Sequence, residues 1–131
     1  MLGLDTNVLV RFLVRDDEAQ FDKARKLIKR EVAAGRRVFV SQLVLMETEW
    51  VLRSRYGLPK IEIIGAISGL LDATEVQFED EMAIEAALFV WKDNAVEFAD
   101  CLIGAQNRKL GCRATATFDL KAAKLPGFVA A

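Results

Sequence analysis

The sequence predicts an α/β fold, a short and mostly parallel central sheet flanked by helices on both faces. Three observations predict it. Short apolar or alternating runs at 1–4, 38–40, 74–78, 114–117 and 128–129 have strand character. Longer stretches between them carry apolar residues at helical spacing. The two kinds alternate along the chain, which implies parallel strands joined by helical crossovers. No internal repeat, low-complexity tract or linker interrupts the pattern, so one domain is expected over residues 1–131.

The first residues set the plan. The apolar run Met1–Leu4 stops at Asp5, and Val8, Leu9, Phe12 and Leu13 then fall at helical spacing. A buried strand therefore feeds straight into a helix, with Asp5 at the strand's carboxyl end. Asp5 stands there either as a helix cap or as the seed of a site, because open α/β sheets bind ligands at strand carboxyl ends. Asp16-Asp17-Glu18 is an acidic helix start, and Phe21, Ala24, Leu27, Ile28 and Val32 mark a helix over 18–34 that Gly35 closes. Val38-Phe39-Val40 is a short buried strand, and Ser41 is the N-cap of the next helix. There Leu43, Val44, Met46, Trp50 and Val51, with Leu52 at the margin, form the expected buried stripe, until Tyr56-Gly57-Leu58-Pro59 breaks it.

Residues 60–71 make an apolar helix through Ile61, Ile64, Ile67, Leu70 and Leu71. The 74–78 run alternates polar and apolar residues and belongs near a sheet edge. Glu79-Asp80-Glu81 opens a helix to about Trp91, with acids in its first turn. A helix over 97–110 stops at Gly111, and the small-residue strand 114–117 ends at Phe118-Asp119. A short helix at 120–124 and a strand at 128–129 finish the chain.

Composition excludes several classes of chemistry. The chain has no histidine, which removes Ser-His-Asp and Cys-His catalysis and imidazole-based zinc sites. Its two cysteines, Cys101 and Cys112, match no zinc spacing and are too few for a disulfide scaffold. A net charge of −1 leaves no global basic field, so a nucleic-acid partner needs a local basic patch. No apolar run approaches the ~20 residues of a membrane span, and no signal peptide is expected before the first strand. The expectation is a cytoplasmic protein without membrane contact. An apolar fraction of 53 % leaves some apolar surface for a partner.

The remaining chemistry rests on carboxylates. Asp5 and Asp119 follow strands directly, Asp100 lies in the first turn of the 97–110 helix, and Glu47 lies two turns into the helix after 38–40. Glu47 shares a helix face with Leu43, Val44, Trp50 and Val51, which places it on the buried side and Glu49 in solvent. Asp100 is likewise surrounded by Phe98, Ala99, Cys101, Leu102 and Ile103. A carboxylate on a buried face needs a partner or a metal. Clustered carboxylates repel unless a cation neutralises them, and oxygen ligands without imidazole or thiolate favour Mg²⁺ or Mn²⁺. Such an ion suits phosphodiester hydrolysis. Thr6 and Thr117 stand either to orient an acid or a water, or to cap backbone.

Four segments carry a resemblance. Leu4-Asp5-Thr6-Asn7-Val8-Leu9, Val44-Leu45-Met46-Glu47 with Trp50-Val51-Leu52, Glu97-Phe98-Ala99-Asp100-Cys101-Leu102-Ile103, and Thr115-Ala116-Thr117-Phe118-Asp119 occur in the order and spacing of PIN-domain ribonucleases of the VapC toxin class. The chain resembles that family over almost its whole length. The resemblance implies a Mg²⁺-dependent endoribonuclease, with Mn²⁺ as a substitute, restrained by a cognate antitoxin. It implies Asp5, Glu47, Asp100 and Asp119 as the acidic tetrad sharing one pocket, with Asp5 and Asp100 as direct metal ligands. Where many relatives carry Asp this chain has Glu97, which either joins the site or caps the helix; the cap is the expectation here.

Two other classes stay open on the residues alone. A metal-dependent phosphatase would want a second acid two residues after Asp5, where Asn7 stands, and no Gly-rich phosphate loop occurs. A non-enzymatic module would use the acids to receive basic side chains. The expected substrate is a structured RNA such as tRNA or rRNA, with Arg11, Arg15, Arg53, Arg55, Lys121 and Lys124 as candidate phosphate contacts at the rim. The stripes around Trp50 and Trp91 are expected to be core, and excess apolar surface is assigned to a homodimer and to a higher assembly with antitoxin.

Overall fold

Five strands form where the sequence expects them, and every strand pairing is parallel. The computed structural model describes residues 1–131, which divide into two compact units, Met1–Glu79 and Asp80–Ala131. The strands fall into two sheets, one of three strands and one of two.

The first unit holds β1 (Leu2–Gly3), α1 (Thr6–Leu13), α2 (Glu18–Ala33), β2 (Val38–Val40), α3 (Gln42–Ser54), α4 (Lys60–Asp72) and β3 (Val76–Phe78). Its strand order is β1-β2-β3, so β3 is an edge strand, as its alternating sequence suggested. Leu2 lies opposite Val38, and Val38 opposite Val76. Because all three run the same way, Asp5, Ser41 and Glu79 leave the sheet at one edge. Val38 and Val40 are fully buried, while Phe39 between them is half-buried, the period of two that a covered strand needs. Leu9, Leu45, Leu52, Ile63 and Ile67 complete the core, each contributing about 1.5–3 kcal/mol by leaving water. Gly35, at φ +75°, ends α2 in the left-handed conformation that its lack of a Cβ permits.

Helix α3 corrects an expectation. Its buried face runs through Gln42, Leu45, Thr48, Glu49 and Leu52. Leu43 is 80 % exposed and Trp50 is 50 % exposed, so neither is core. Glu49 is only 2 % exposed, and Glu47 is the solvent-facing acid. The two glutamates have exchanged the places the sequence suggested. The stretch from Leu43 to Leu52 is apolar on every side, so hydrophobic periodicity leaves the phase of the helix undetermined. Arg53 decides it, because its Nε lies 2.8 Å from the Glu49 carboxylate one turn away and makes burial of that acid tolerable.

The second unit holds α5 (Glu81–Lys92), α6 (Phe98–Lys109), β4 (Thr115–Thr117), a single 3-10 turn (Ala122–Lys124) and β5 (Phe128–Ala130). Helices α5 and α6 pack together through Trp91 and Phe98, whose rings lie 5.2 Å apart in a tilted arrangement. Both are buried, and the Trp91 indole N–H donates to the Val96 carbonyl at 3.0 Å. Trp91 is therefore core, as expected, and differs from Trp50. Thr115, Ala116 and Thr117 pair with Phe128, Val129 and Ala130.

Candidate active site

In the first unit, Asp5 is both a cap and a strand-end acid. Its Oδ1 accepts from the Val8 N–H at 3.1 Å, which fixes the start of α1. The side chain is exposed, and its other oxygen makes no bond within the protein. Thr6, the next residue, is buried and donates its hydroxyl to Oε1 of Glu47 on α3. Of the two roles open to Thr6, the structure supports orienting an acid. Glu47 thus has a hydrogen-bonded position, although burial is not what demands it.

In the second unit, Asp119 follows β4 and sits on the surface. Its Oδ1 accepts from the N–H groups of Lys121 at 2.8 Å and Ala122 at 3.0 Å, capping the 3-10 turn. The Thr117 hydroxyl accepts from the Asp119 N–H at 3.0 Å, so Thr117 serves backbone. Asp100 is half-buried at the third position of α6. Burial raises its pKa above 3.8, and the negative charges of Asp119 and Glu97 push the same way. A hydrogen bond from the Glu97 backbone N–H offsets this only in part. No lysine or arginine forms an ion pair with Asp100 or Asp119. Glu97 occupies the N-cap position of α6, but its side chain makes no capping hydrogen bond, against expectation. Its carboxylate instead adds negative charge near Asp100.

The basic residues expected at the rim divide. Arg53 is engaged with buried Glu49. Arg15 pairs with Glu18 at 3.3 Å and lies 4.2 Å over the Phe21 ring. Arg11 is held by Asp16, Gln20 and Tyr56. Arg55, Lys121 and Lys124 are exposed.

Sequence reasoning missed Glu79. It follows β3 at the carboxyl edge, and its Oε1 accepts from the Gln42 N–H at 2.9 Å. Together with Ser41, whose hydroxyl accepts from Val44 N–H at 3.2 Å, it satisfies the start of α3. An acid directly after a strand was the available signal. Within neither unit do three or more Asp, Glu or Cys side chains gather into a group able to hold a metal by themselves.

A sequence profile described as PIN domain matches residues 3–127. A VapC ribonuclease of Aquifex aeolicus (strain VF5) is 24 % identical over 122 residues, covering 93 % of this chain and 90 % of the relative. Among solved structures, VapC20 of Mycobacterium tuberculosis, described as a sarcin–ricin-loop-cleaving toxin, aligns with a TM-score of 0.44 and 23 % identity. That alignment covers 95 % of this chain and 96 % of the other.

Proposed function

Because the chain belongs to the PIN-domain family, we propose that it is a divalent-metal-dependent endoribonuclease, the toxin of a toxin–antitoxin pair. The observation that carries this reading is the state of Asp100. Half-buried in the first turn of α6, its carboxyl has a pKa raised by burial and by the charges of Asp119 and Glu97, and no lysine or arginine forms an ion pair with it. An acid so placed gains from a bound cation. The donors at hand are carboxylate and hydroxyl oxygens, and the chain has no histidine, so they fit Mg²⁺ or Mn²⁺.

We assign Asp5, Glu47, Asp100 and Asp119 to the reaction, with Asp5 and Asp100 as direct ligands. When bound, the cation supplies positive charge to the phosphate and acidifies water. The chain's own residues do the positioning. Asp5 keeps one oxygen on the Val8 N–H, which fixes the direction of the other. Thr6 holds Glu47 at one oxygen, so the remaining oxygen is presented in a set orientation. Asp119 is fixed in the same way by the 3-10 turn. Acids do not attract RNA, so binding depends on nearby cations and on the shape of a folded RNA such as tRNA or rRNA. Uncovered Leu43, Trp50, Met82 and Phe89 support the protein partners of this reading, a second copy and an antitoxin.

The test is cleavage of total cellular RNA by the purified chain with Mg²⁺, with Mn²⁺ and with chelator. Cleavage should require metal and vanish in Asp5→Asn. RNA left intact under both metals would favour a binding module. Hydrolysis of a simple phosphate monoester in place of RNA would favour a different phosphate hydrolase.

A further inference from the structure

A pocket of about 360 Å³ lies against Asp5 in the first unit, between α1 and α2. Asp5, Asn7, Val8 and Arg11 line it from the α1 side, and Gln20, Lys23, Ala24 and Leu27 from α2. Its lining carries one carboxylate, Asp5, and two cationic side chains, of which Arg11 is paired with Asp16 outside the lining and Lys23 is not paired. Arg11 is braced there: its Nε donates to Gln20 at 2.5 Å, and its Nη1 donates to the Tyr56 hydroxyl at 2.6 Å and to Asp16 at 3.2 Å. Tyr56 in turn donates to Asp16 at 3.0 Å. Nη2 makes no hydrogen bond within the protein. A guanidinium fixed on one side and open on the other loses little side-chain entropy when it meets an anion.

Lys23 differs from its neighbours on α2. Arg25 and Lys26 both pair with Asp22, at 3.0 and 2.9 Å. Lys23 is exposed and has no carboxylate within ion-pair distance. The Asn7 side chain likewise makes no bond within the protein. Val8, Ala24 and Leu27 supply the apolar part of the lining. Unpaired Lys23, the open Nη2 of Arg11, a free amide and an apolar floor together match one nucleotide, its phosphate on Lys23 and Nη2 and its sugar or base on the floor.

We propose that this pocket is the subsite for the RNA nucleotide next to the bond that is cut, with Lys23 and braced Arg11 holding its phosphate. The proposal rests on the nuclease reading and places the substrate strand along the α1–α2 side of Asp5. Lys23 binds substrate; it acts on where the RNA lies, while the acids act on the reaction.

The test uses the full chain, chelator to prevent cleavage, and a fluorescein-labelled RNA hairpin read by anisotropy over a range of salt. Lys23→Gln should weaken binding by roughly three- to tenfold and reduce the salt slope by about one. Lys26→Gln, on the same helix and already paired with Asp22, should leave both unchanged. With metal restored, Lys23→Gln should raise KM and spare kcat. Wild-type affinity and slope in Lys23→Gln would overturn the proposal, as would an equal loss in Lys26→Gln. A wild type that binds the hairpin through Lys23 and never cuts RNA would sink the nuclease reading and leave the pocket standing. Cleavage with an unchanged KM in Lys23→Gln would do the reverse.

Discussion

Asp80 caps α5 and Asp100 lies in the first turn of α6, and the pKa values of their carboxyl groups are displaced in opposite directions. Burial raises both. At Asp80 that push is more than offset by Lys109, whose Nζ lies 2.9 Å away, and by the Ala83 N–H at 3.0 Å, so its pKa falls below 3.8. At Asp100 burial is reinforced by Asp119 and Glu97, and only the Glu97 backbone N–H opposes it. Both acids enjoy the favourable field of a helix N-terminus, so the helix dipole does not separate them. The partner does. Asp80 has the cation that makes a stabilising cap, and Asp100 lacks one. The difference marks Asp80 as part of the scaffold and Asp100 as an acid that folding alone leaves unrelieved.

The largest effect that sharpens this contrast is metal linkage. Mg²⁺ or Mn²⁺ at about a hundred times its Kd should stabilise the wild type by about 2.7 kcal/mol. Thermal unfolding with and without metal reads the shift. Asp100→Asn should lose it, and Asp80→Asn should keep it. A full shift in Asp100→Asn would place the ion elsewhere and break the contrast.

Removal of the scaffold acid comes next. Asp80→Ala deletes the cap of α5 and the partner of Lys109, and should cost about 1–2 kcal/mol in chemical denaturation. RNA cleavage at a temperature where the variant is folded should be unchanged. A smaller effect is expected in the first unit. Thr6→Val keeps the shape of a buried side chain but removes the hydroxyl that holds Glu47, and should slow cleavage by roughly tenfold. A wild-type rate would show that Glu47 needs no positioning.

The smallest effect is the dependence of stability on pH. Asp100 binds its proton more tightly in the folded protein, so its ionisation costs folding free energy once pH rises from the ordinary carboxylate value through its raised pKa. Metal-free Asp100→Asn should therefore match or exceed wild-type stability at neutral pH, and the advantage should fade as pH falls through that window. Asp80 has the opposite sign. Its contribution is present above the unfolded pKa and is lost as pH falls through its lowered folded value. Melting curves of the two asparagine variants across the acidic range should diverge from wild type in opposite directions.

Much of this was legible in the sequence. Strand–helix alternation gave the parallel α/β plan, Ser41 caps α3 as its position suggested, and Gly35 and Gly111 close their helices at positive φ. The strand-end positions of Asp5 and Asp119 were legible because a carboxylate just after a strand is local information. The phase of α3 was not legible. Leu43–Leu52 offers apolar residues on every face, and Gln42, Thr48 and Glu49 take buried places that composition assigns to Leu43 and Trp50. The roles of the two threonines also lay beyond local sequence. Thr117 bonds two residues away, while Thr6 bonds across to Glu47, and nothing in either neighbourhood distinguishes them. The gathering of strands into two sheets depends on long-range pairing that short strands specify weakly.

The most direct measurement is made on Asp100→Asn alone, recording its metal-free melting temperature and its RNA cleavage with Mg²⁺ from one preparation. Asparagine keeps the shape of the side chain and deletes the charge that burial, Asp119 and Glu97 disfavour. The variant should melt at or above the wild-type temperature and lose about 10²–10³-fold in cleavage, the scale of one preorganised electrostatic contact to the transition state. A variant that melts lower than wild type and still cuts RNA would show that Asp100 belongs to the scaffold, as Asp80 does.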